Sequence, residues 1–433
     1  MTVGSATPRG RLWRDSGKLI GQRDFRRLWF GQSISELGSQ VTTLALPFAA
    51  VLVLHASTLQ VGLLTTAGFA AFLLVGLPVG AWVDRLRRRP IMIASDVIRA
   101  VALASIPVAY ALGVLSLAQL YVVAFITGVA SVFFDVAYMS YVPSLVGLDH
   151  VVEANAKLQV SVSLAQVGGP SAAGFLIGVL GAPVAFLADA ASFVVSVLSL
   201  VAIREREPVP VTAGPRTMRA EMAEGIRFVV REPILRMIAA CTSTVNLFSS
   251  AIYAIVVVFL VRQVHLQAGT IGLLMSAGAV GGVIGGLTAS QLRRRLGSAR
   301  IIWISAVVTA PFTLLIPVTF PGPGVAFFGV AAFMTSLGSV VYNVNQASFR
   351  QLLCPPELLG RMNATIRFIV WGTLPLGGLL GGLLGSELGN RAAIWVAAVG
   401  VALAPAWLLA SPLRRLRDTP APAAGWQQEP ATD

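Results

Sequence analysis

Two carboxyl groups stand inside long apolar stretches of the sequence, where an ionisable side chain is unusual. Glu36 is surrounded by small hydroxyl and amide residues, and Asp135 lies near the end of another apolar stretch. A charged group at the centre of a bilayer costs roughly 2.5–3.5 kcal/mol on insertion scales. A carboxyl group in such a place can take up and release a proton as water reaches it or withdraws. We therefore predict that Glu36 and Asp135 are candidates for proton coupling. Structural pairing with a neighbouring helix is the alternative for Glu36.

A weak internal repeat gives Asp135 an equivalent position in the second half of the chain. Phe134, Asp135 and Val136 match Tyr342, Asn343 and Val344 at a distance of 208 residues. Equivalent positions would face each other across a central cavity and could hydrogen-bond a small molecule. The alternative is that these polar groups bond to helix backbones and pack the bundle. The candidates for such a cavity are Asp189, Asn246, Asn343, Asn345 and Gln346.

The composition of the chain excludes several classes of protein. Of the 433 residues, 56% are hydrophobic and only 12% charged, whereas soluble domains are about 45–50% apolar and 25% charged. The net charge of +13 indicates a membrane surface rather than nucleic acid, because long apolar stretches separate the basic clusters. Two cysteines and three histidines are too few for a disulfide framework or a usual metal site. We expect no metal, no cofactor and no enzymatic activity.

Twelve apolar stretches are each long enough to cross a bilayer, which takes about 20 residues. They predict an all-α integral membrane protein with twelve transmembrane helices in two six-helix bundles. The first six stretches are 28–54, 59–83, 91–113, 118–142, 159–180 and 183–203, and the second six are 236–261, 269–291, 300–318, 323–348, 364–386 and 391–411.

The longest hydrophilic break divides the chain between these two sets of helices. Of the 32 Lys and Arg residues, 29 lie at one side of the predicted spans, which places both termini in the cytoplasm. The predicted regions are a cytoplasmic segment (1–27), an N-terminal six-helix bundle (28–203), a cytoplasmic linker with an amphipathic helix (204–235), a C-terminal six-helix bundle (236–413) and a disordered cytoplasmic tail (414–433).

The loop between the second and third spans carries a recognisable motif. Gly80, Asp84, Arg85 and Arg88, with the arginine that follows, resemble the G-x-x-x-D-R-x-G-R-R signature of the major facilitator superfamily, with Arg87 in place of the second glycine. The resemblance implies that Asp84 and Arg85 belong to a cytoplasmic gate, where the aspartate meets the positive end of helix 11. The predicted gate residues are Gly80, Asp84, Arg85, Arg88, Asp96 and Arg99. For Asp96 and Arg99, three residues apart on one helix face, a structural ion pair is also expected.

A second motif lies in the fifth span. Gly169, Pro170 and Gly174 are similar to the G-P-x-x-G-G signature of the antiporter branches of the superfamily, with Ala173 in one glycine position. Ala124 occupies the position of the arginine found in many drug:proton antiporters. Two other segments, Asp24-Phe-Arg-Arg-Leu-Trp-Phe-Gly-Gln and Ser95-Asp96-Val-Ile-Arg99, resemble the twelve-span subgroup that includes macrolide exporters and enterobactin-type siderophore exporters.

This resemblance implies a function. It suggests a secondary active exporter of amphipathic small molecules such as drugs, macrolides or siderophore-like metabolites, working by proton-coupled antiport and alternating access. An importer or a narrow-specificity metabolite transporter is the alternative on this fold. A lipid-modifying membrane enzyme is a remote alternative. The expected partners are a small-molecule substrate, protons and the lipid bilayer, with no nucleic acid, and the expected form is a monomer. The expected location is a bacterial inner (plasma) membrane.

Glycines recur at every fourth residue within spans 2, 5, 8 and 11. Such a stripe lets two helix backbones approach closely. In the superfamily these four helices form the contact between the two halves, which implies that the stripes lie there. The predicted contact positions are Gly76, Gly169, Pro170, Gly174, Gly178, Gly278, Gly282, Gly377 and Gly381.

Overall fold

The computed structural model describes residues 18–83, 86–147, 150–204, 226–354 and 358–418. Nearly all of this part is helical, because a chain within a bilayer must satisfy its backbone hydrogen bonds internally. Eleven helices in the described ranges are long and apolar enough to cross a membrane, and a shorter apolar helix, Arg300–Leu315, supplies a twelfth crossing. The predicted all-α fold is confirmed.

The twelve helices follow one another along the chain, and the longest connection is the one between the sixth and seventh helices. They are α1 (Arg23–Phe48), α2 (Thr58–Val83), α3 (Arg88–Ala111), α4 (Leu117–Val146), α5 (Val151–Leu180), α6 (Ala182–Ala202), α7 (Pro233–Arg262), α8 (Ala268–Leu296), α9 (Arg300–Thr309), α10 (Val325–Leu353), α11 (Leu359–Leu388) and α12 (Asn390–Leu403).

Differences from the predicted bounds have local causes. Helix α5 begins at Val151 rather than at residue 159, because two polar turns, with Glu153 paired to Lys157 at 3.4 Å, extend it beyond the apolar stretch. Helix α9 continues as a 3₁₀ helix over Ala310–Leu315, where Pro311 supplies no backbone N–H.

The helices pack as two bundles, α1–α6 and α7–α12, here called the N-terminal and C-terminal halves. In the N-terminal half, α1 packs on α5 and α6, and α4 packs on α2 and α3. In the C-terminal half, α7 packs on α11 and α12, and α10 packs on α8 and α9. The main contacts between the halves are those of α2 with α11 and of α5 with α8.

Polar contacts join the halves near one end of the bundles. We call this the outer end, since the charge pattern predicts that it is extracellular, and the opposite one the inner end. The Thr58 hydroxyl donates to Asn390 Oδ1 at 2.9 Å, and Arg262 Nη2 donates to the Ala56 carbonyl at 2.8 Å. The Ser171 and Ser276 hydroxyls, on α5 and α8, share a hydrogen bond of 2.8 Å.

Two of the nine predicted contact positions lie between the halves. A β-carbon on Gly174 would stand 2.5 Å from the Ala268 carbonyl oxygen of α8, and the Pro170 carbonyl lies against Gly272. These close approaches explain why small residues are needed on both helices.

The prediction is wrong for the other seven positions, which do not face the opposite half. Gly169 faces α1; Gly278 and Gly282 face α10; Gly377 and Gly381 face α7; a β-carbon on Gly76 would meet only its own helix, and one on Gly178 would meet nothing within 4 Å.

The glycines that join α2 to α11 are different ones. A β-carbon on Gly62 would stand 2.5 Å from Gly382 Cα, and one on Gly378 would stand 3.0 Å from Thr66 Oγ1. Gly378 and Gly382 each follow a predicted residue directly, so α11 carries two adjacent glycine stripes. One stripe faces α7 and the other faces α2.

The first residues of the predicted tail are ordered against the C-terminal half. The Asp418 carboxylate accepts a hydrogen bond from the Ser298 backbone N–H at 2.9 Å, and Leu413 is fully buried. Residues 226–231 at the end of the linker are helical. The N-terminal residues 1–17, most of the predicted amphipathic linker helix (205–225) and the tail residues 419–433 lie outside the described ranges.

Candidate functional site

A single arginine, Arg99, stands at the centre of a polar region in the N-terminal half. Its guanidinium lies between the rings of Phe134 and Phe193, at 4.5 and 4.3 Å from their centroids. It forms an ion pair with Asp96, which lies one turn earlier on α3. The Asp96 side chain is completely buried. Because a buried charge is stable only with a partner, Asp96 is the fixed counter-ion of Arg99. Arg99 lines a cavity in this half and Asp96 is buried behind it, so the structural ion pair that was also expected is observed.

Three further carboxyl groups interact electrostatically with Arg99. They are Glu36 on α1, Asp135 on α4 and Asp189 on α6. With Asp96, four carboxyl groups from four helices interact with one guanidinium. We call these five residues the Arg99 cluster. The carboxyl groups outnumber the positive charge, so the cluster can take up protons without leaving Arg99 unpaired.

The carboxyl groups differ in how tightly they are held. Asp189 is 1% exposed and accepts hydrogen bonds from the hydroxyls of Thr42 and Ser192. Glu36 is half-buried and accepts one from Gln32 Nε2 at 2.9 Å. Asp135 is exposed, and among the described residues none donates a hydrogen bond to its carboxylate.

A cavity of about 430 Å³, the N-terminal cavity, opens beside this cluster. Its wall includes Arg99, Asp135 and Asp189, and Tyr253 and Trp371 of the C-terminal half complete it. A second cavity of about 420 Å³, the C-terminal cavity, lies among α7, α8, α9, α10 and α12. Both volumes suit a small organic molecule, for which pockets of about 300–1,000 Å³ are usual.

The repeat partners Asp135 and Asn343 do not face one another across a single space. Asp135 lines the N-terminal cavity, and Asn343 lines the C-terminal cavity together with Asn246. Their positions are equivalent within the two halves, as the repeat indicated. The two residues line different cavities, so they do not share one central cavity as predicted; the N-terminal cavity is completed by residues of both halves, and Tyr253 lines both cavities.

Two other predicted cavity residues pack the bundle instead. Asn345 is 3% exposed, and its Nδ2 donates to the Val341 carbonyl of the same helix at 2.8 Å. Gln346 is 6% exposed and lines neither cavity. For Asn345 the alternative, a bond to the helix backbone, is the one observed, whereas Gln346 is buried with no partner for its Oε1 among the described residues.

Sequence reasoning missed two residues that connect the halves. Tyr253 of α7 lines both cavities, and its hydroxyl approaches Thr43 on α1. Arg367 of α11 lies over the Phe72 ring of α2 at 5.4 Å and approaches Met139 of α4. The sequence signal for Arg367 was its place inside the predicted span 364–386, where it was counted only as a basic residue near a span end.

The predicted gate is described only in part. Asp84 and Arg85 lie outside the described residues, as do the surroundings of Gly80. Arg88 is half-buried in the first turn of α3. The next residue, Arg89, donates to the Leu200 and Val201 carbonyls at 2.9 and 2.8 Å, which places a cation at the C-terminal end of α6.

Among the described residues, no group of three His, Cys, Asp or Glu side chains is suited to hold a metal ion.

The sequence model of the transmembrane secretion effectors, a major facilitator family, matches residues 19–432. The chain belongs to this family. Members of the family are multi-pass membrane transporters, which confirms the resemblance expected from the loop and span motifs.

The chain is also similar to individual proteins, and a solved structure shares its fold. The multidrug efflux pump Tap of Mycolicibacterium fortuitum is 26% identical over 359 residues, covering 79% of this chain and 84% of that protein. The enterobactin exporter EntS of Salmonella typhimurium is 27% identical over 406 residues, covering 92% and 94%. A bacterial homologue of the iron transporter ferroportin in its inward-facing state has the same fold, with a TM-score of 0.74 at 20% identity over 90% of this chain and 98% of that one.

Proposed function

We propose that this protein is a secondary active exporter of amphipathic small molecules, in which protons move inward as the substrate moves outward. The outward direction is supported by the relatives, a multidrug efflux pump and an enterobactin exporter. The family description as secretion effectors also favours it. The halves would rock about the cavities to give access to one side of the membrane at a time.

The Arg99 cluster carries the proposal of proton coupling. Asp135 opens to the N-terminal cavity and is the group we assign to binding the transported proton. Glu36 interacts electrostatically with Asp135 and lies on α1, towards the inner end from the cavity. Glu36 would therefore exchange the proton between Asp135 and the cytoplasm. Asp96 forms the ion pair with Arg99 and takes no part in the proposed exchange, so the packing of α3 is not disturbed.

Inside-out membrane vesicles test this function, because export then moves a dye into the vesicle lumen. A panel of dyes, macrolides and catechol siderophores is offered with an imposed pH gradient, with and without a protonophore. We expect accumulation of at least one compound by the wild type, abolished by the protonophore. Release from preloaded vesicles instead of accumulation would indicate an importer.

Carboxyl variants test the coupling residues in the same vesicles. Asp135→Asn and Glu36→Gln should insert normally but lose the response to the pH gradient. Glu387→Gln is the matched control, since Glu387 is exposed at the outer end of α11. Full proton-driven transport by both cluster variants would reject the coupling role of the cluster.

A further inference from the structure

The two cavities differ completely in charge. The N-terminal cavity includes two carboxyl groups and an arginine in its wall. None of the described side chains that line the C-terminal cavity carries a charge. The sequence agrees with this contrast, since Glu357 is the only acidic residue between positions 233 and 386 and it precedes α11.

The C-terminal cavity nevertheless offers hydrogen-bonding groups that the protein does not use. Several threonine hydroxyls in its wall donate to backbone carbonyls of their own helices, such as that of Thr335 to Ala331 at 2.7 Å. By contrast, the hydroxyls of Ser249 and Ser336 have no partner among the described residues. Asn343 Nδ2 donates weakly to Ser339 Oγ at 3.3 Å, which leaves its Oδ1 open to the cavity.

These unused groups lie on facing helices of the bundle. Ser249 lies on α7, and Ser336 and Asn343 lie two turns apart on α10, in a cavity whose wall is otherwise mostly apolar. An ion entering such a site would lose its hydration without finding a counter-charge. A molecule with an apolar body and a few uncharged donors and acceptors would find partners for both.

Tyr253 connects this site to the other cavity. It is 42% exposed and contributes to both walls. The adjacent residues Thr42 and Thr43 lie between Tyr253 and the Arg99 cluster, because Thr42 donates to Asp189 and Thr43 approaches the Tyr253 hydroxyl. A ligand against Tyr253 would therefore touch a residue that lines the same cavity as Asp135 and Asp189.

We propose that the C-terminal cavity binds an uncharged amphipathic molecule through Ser249, Ser336 and Asn343, separately from the carboxyl groups of the N-terminal half. This assignment rests on the proposed function, because it names the class of substrate that the exporter carries and the cavity in which that substrate binds. It predicts selection against permanent cations at this cavity.

Binding to the purified full-length protein in lipid nanodiscs tests the proposal. Nile red serves as the uncharged probe and ethidium as the permanent cation. The wild type should bind Nile red saturably, and Asn343→Leu should raise its Kd by roughly 5-fold, as expected for one lost hydrogen bond of about 1 kcal/mol. Ser249→Phe, which fills the cavity, should remove saturable binding. Ser386→Phe, at an exposed serine near the outer end of α11, is the control with wild-type affinity.

The outcomes separate this site from the transport function. The proposal would be overturned if the wild type showed no saturable Nile red binding, or if Asn343→Leu and Ser249→Phe both bound Nile red with wild-type affinity. It would also be overturned if these substitutions weakened ethidium binding as much as Nile red binding. Asn343 is exposed to the cavity, so its variant is informative even if Ser249→Phe does not fold. Nile red binding needs no pH gradient. If the cavity variants weaken Nile red binding but the protein shows no proton-driven transport, the proposed export function would be rejected and the proposed binding site would stand.

Discussion

Gly174 of α5 lies directly against the backbone of Ala268 at the start of α8. A β-carbon on Gly174 would stand 2.5 Å from the Ala268 carbonyl oxygen, closer than such contacts come in proteins. One turn further along α5, a β-carbon on Gly178 would meet nothing within 4 Å. The two glycines share a helix and a four-residue spacing, yet only Gly174 contributes to the contact between the halves.

Gly174→Leu is expected to slow transport by roughly 5- to 150-fold, because overpacking of about 1–3 kcal/mol disfavours the closed contact at the outer end. Gly178→Leu is the matched control and should transport at the wild-type rate, since its side chain enters open space. Initial rates in vesicles, normalised to inserted protein, measure both. Equal rates for the two variants would contradict the assignment of Gly174.

Arg99→Gln is expected to lower the free energy of unfolding by about 3–5 kcal/mol, because it leaves the buried Asp96 carboxylate without its counter-ion. The double variant Asp96→Asn/Arg99→Gln removes both charges and should recover much of that stability. Thermal unfolding of the detergent-solubilised protein provides the comparison. A wild-type melting temperature for Arg99→Gln alone would show that the pair does not stabilise the fold.

Arg367→Met is expected to slow transport by roughly 2- to 30-fold, since a cation–π contact of about 0.5–2 kcal/mol between α11 and the Phe72 ring of α2 is lost. Methionine retains an apolar stem of similar length. Arg367→Lys keeps the charge but stacks less well and should be intermediate. Transport rates of the three proteins give the order. The role of this contact is rejected if Arg367→Met transports as fast as the wild type.

Asn343→Leu and Asn345→Leu should differ in their effect on the KM of transport, although the residues are two positions apart. Asn343 lines the C-terminal cavity, and its loss is expected to raise KM by roughly 5-fold, as for one lost hydrogen bond. Asn345 is bonded to its own helix backbone, so Asn345→Leu should leave KM unchanged. KM values for a transported uncharged compound measure both, and an equal increase in the two variants would show that Asn345 also reaches the substrate.

The sequence determined the membrane fold and the twelve crossings. Long apolar runs can only be helices in a bilayer, and their length and charge distribution do not depend on contacts with distant residues. The loop motif and the repeat at Asp135 and Asn343 likewise indicated the family and the equivalence of the halves. The observed ends of the helices differ from the predicted ends where polar turns continue a helix beyond its apolar stretch, as in α5, which begins at Val151.

Tertiary packing decided which face of each helix meets which neighbour. The four-residue spacing in α11 is satisfied equally by Gly377 with Gly381 and by Gly378 with Gly382, and only the placement of α2 and α7 separates the two stripes. In the same way, sequence spacing paired Asp96 with Arg99, but only the packing of α1, α4 and α6 around α3 brought three more carboxyl groups to the same guanidinium. A helical period fixes which residues share a face, whereas the partner of that face depends on contacts between residues far apart in the chain.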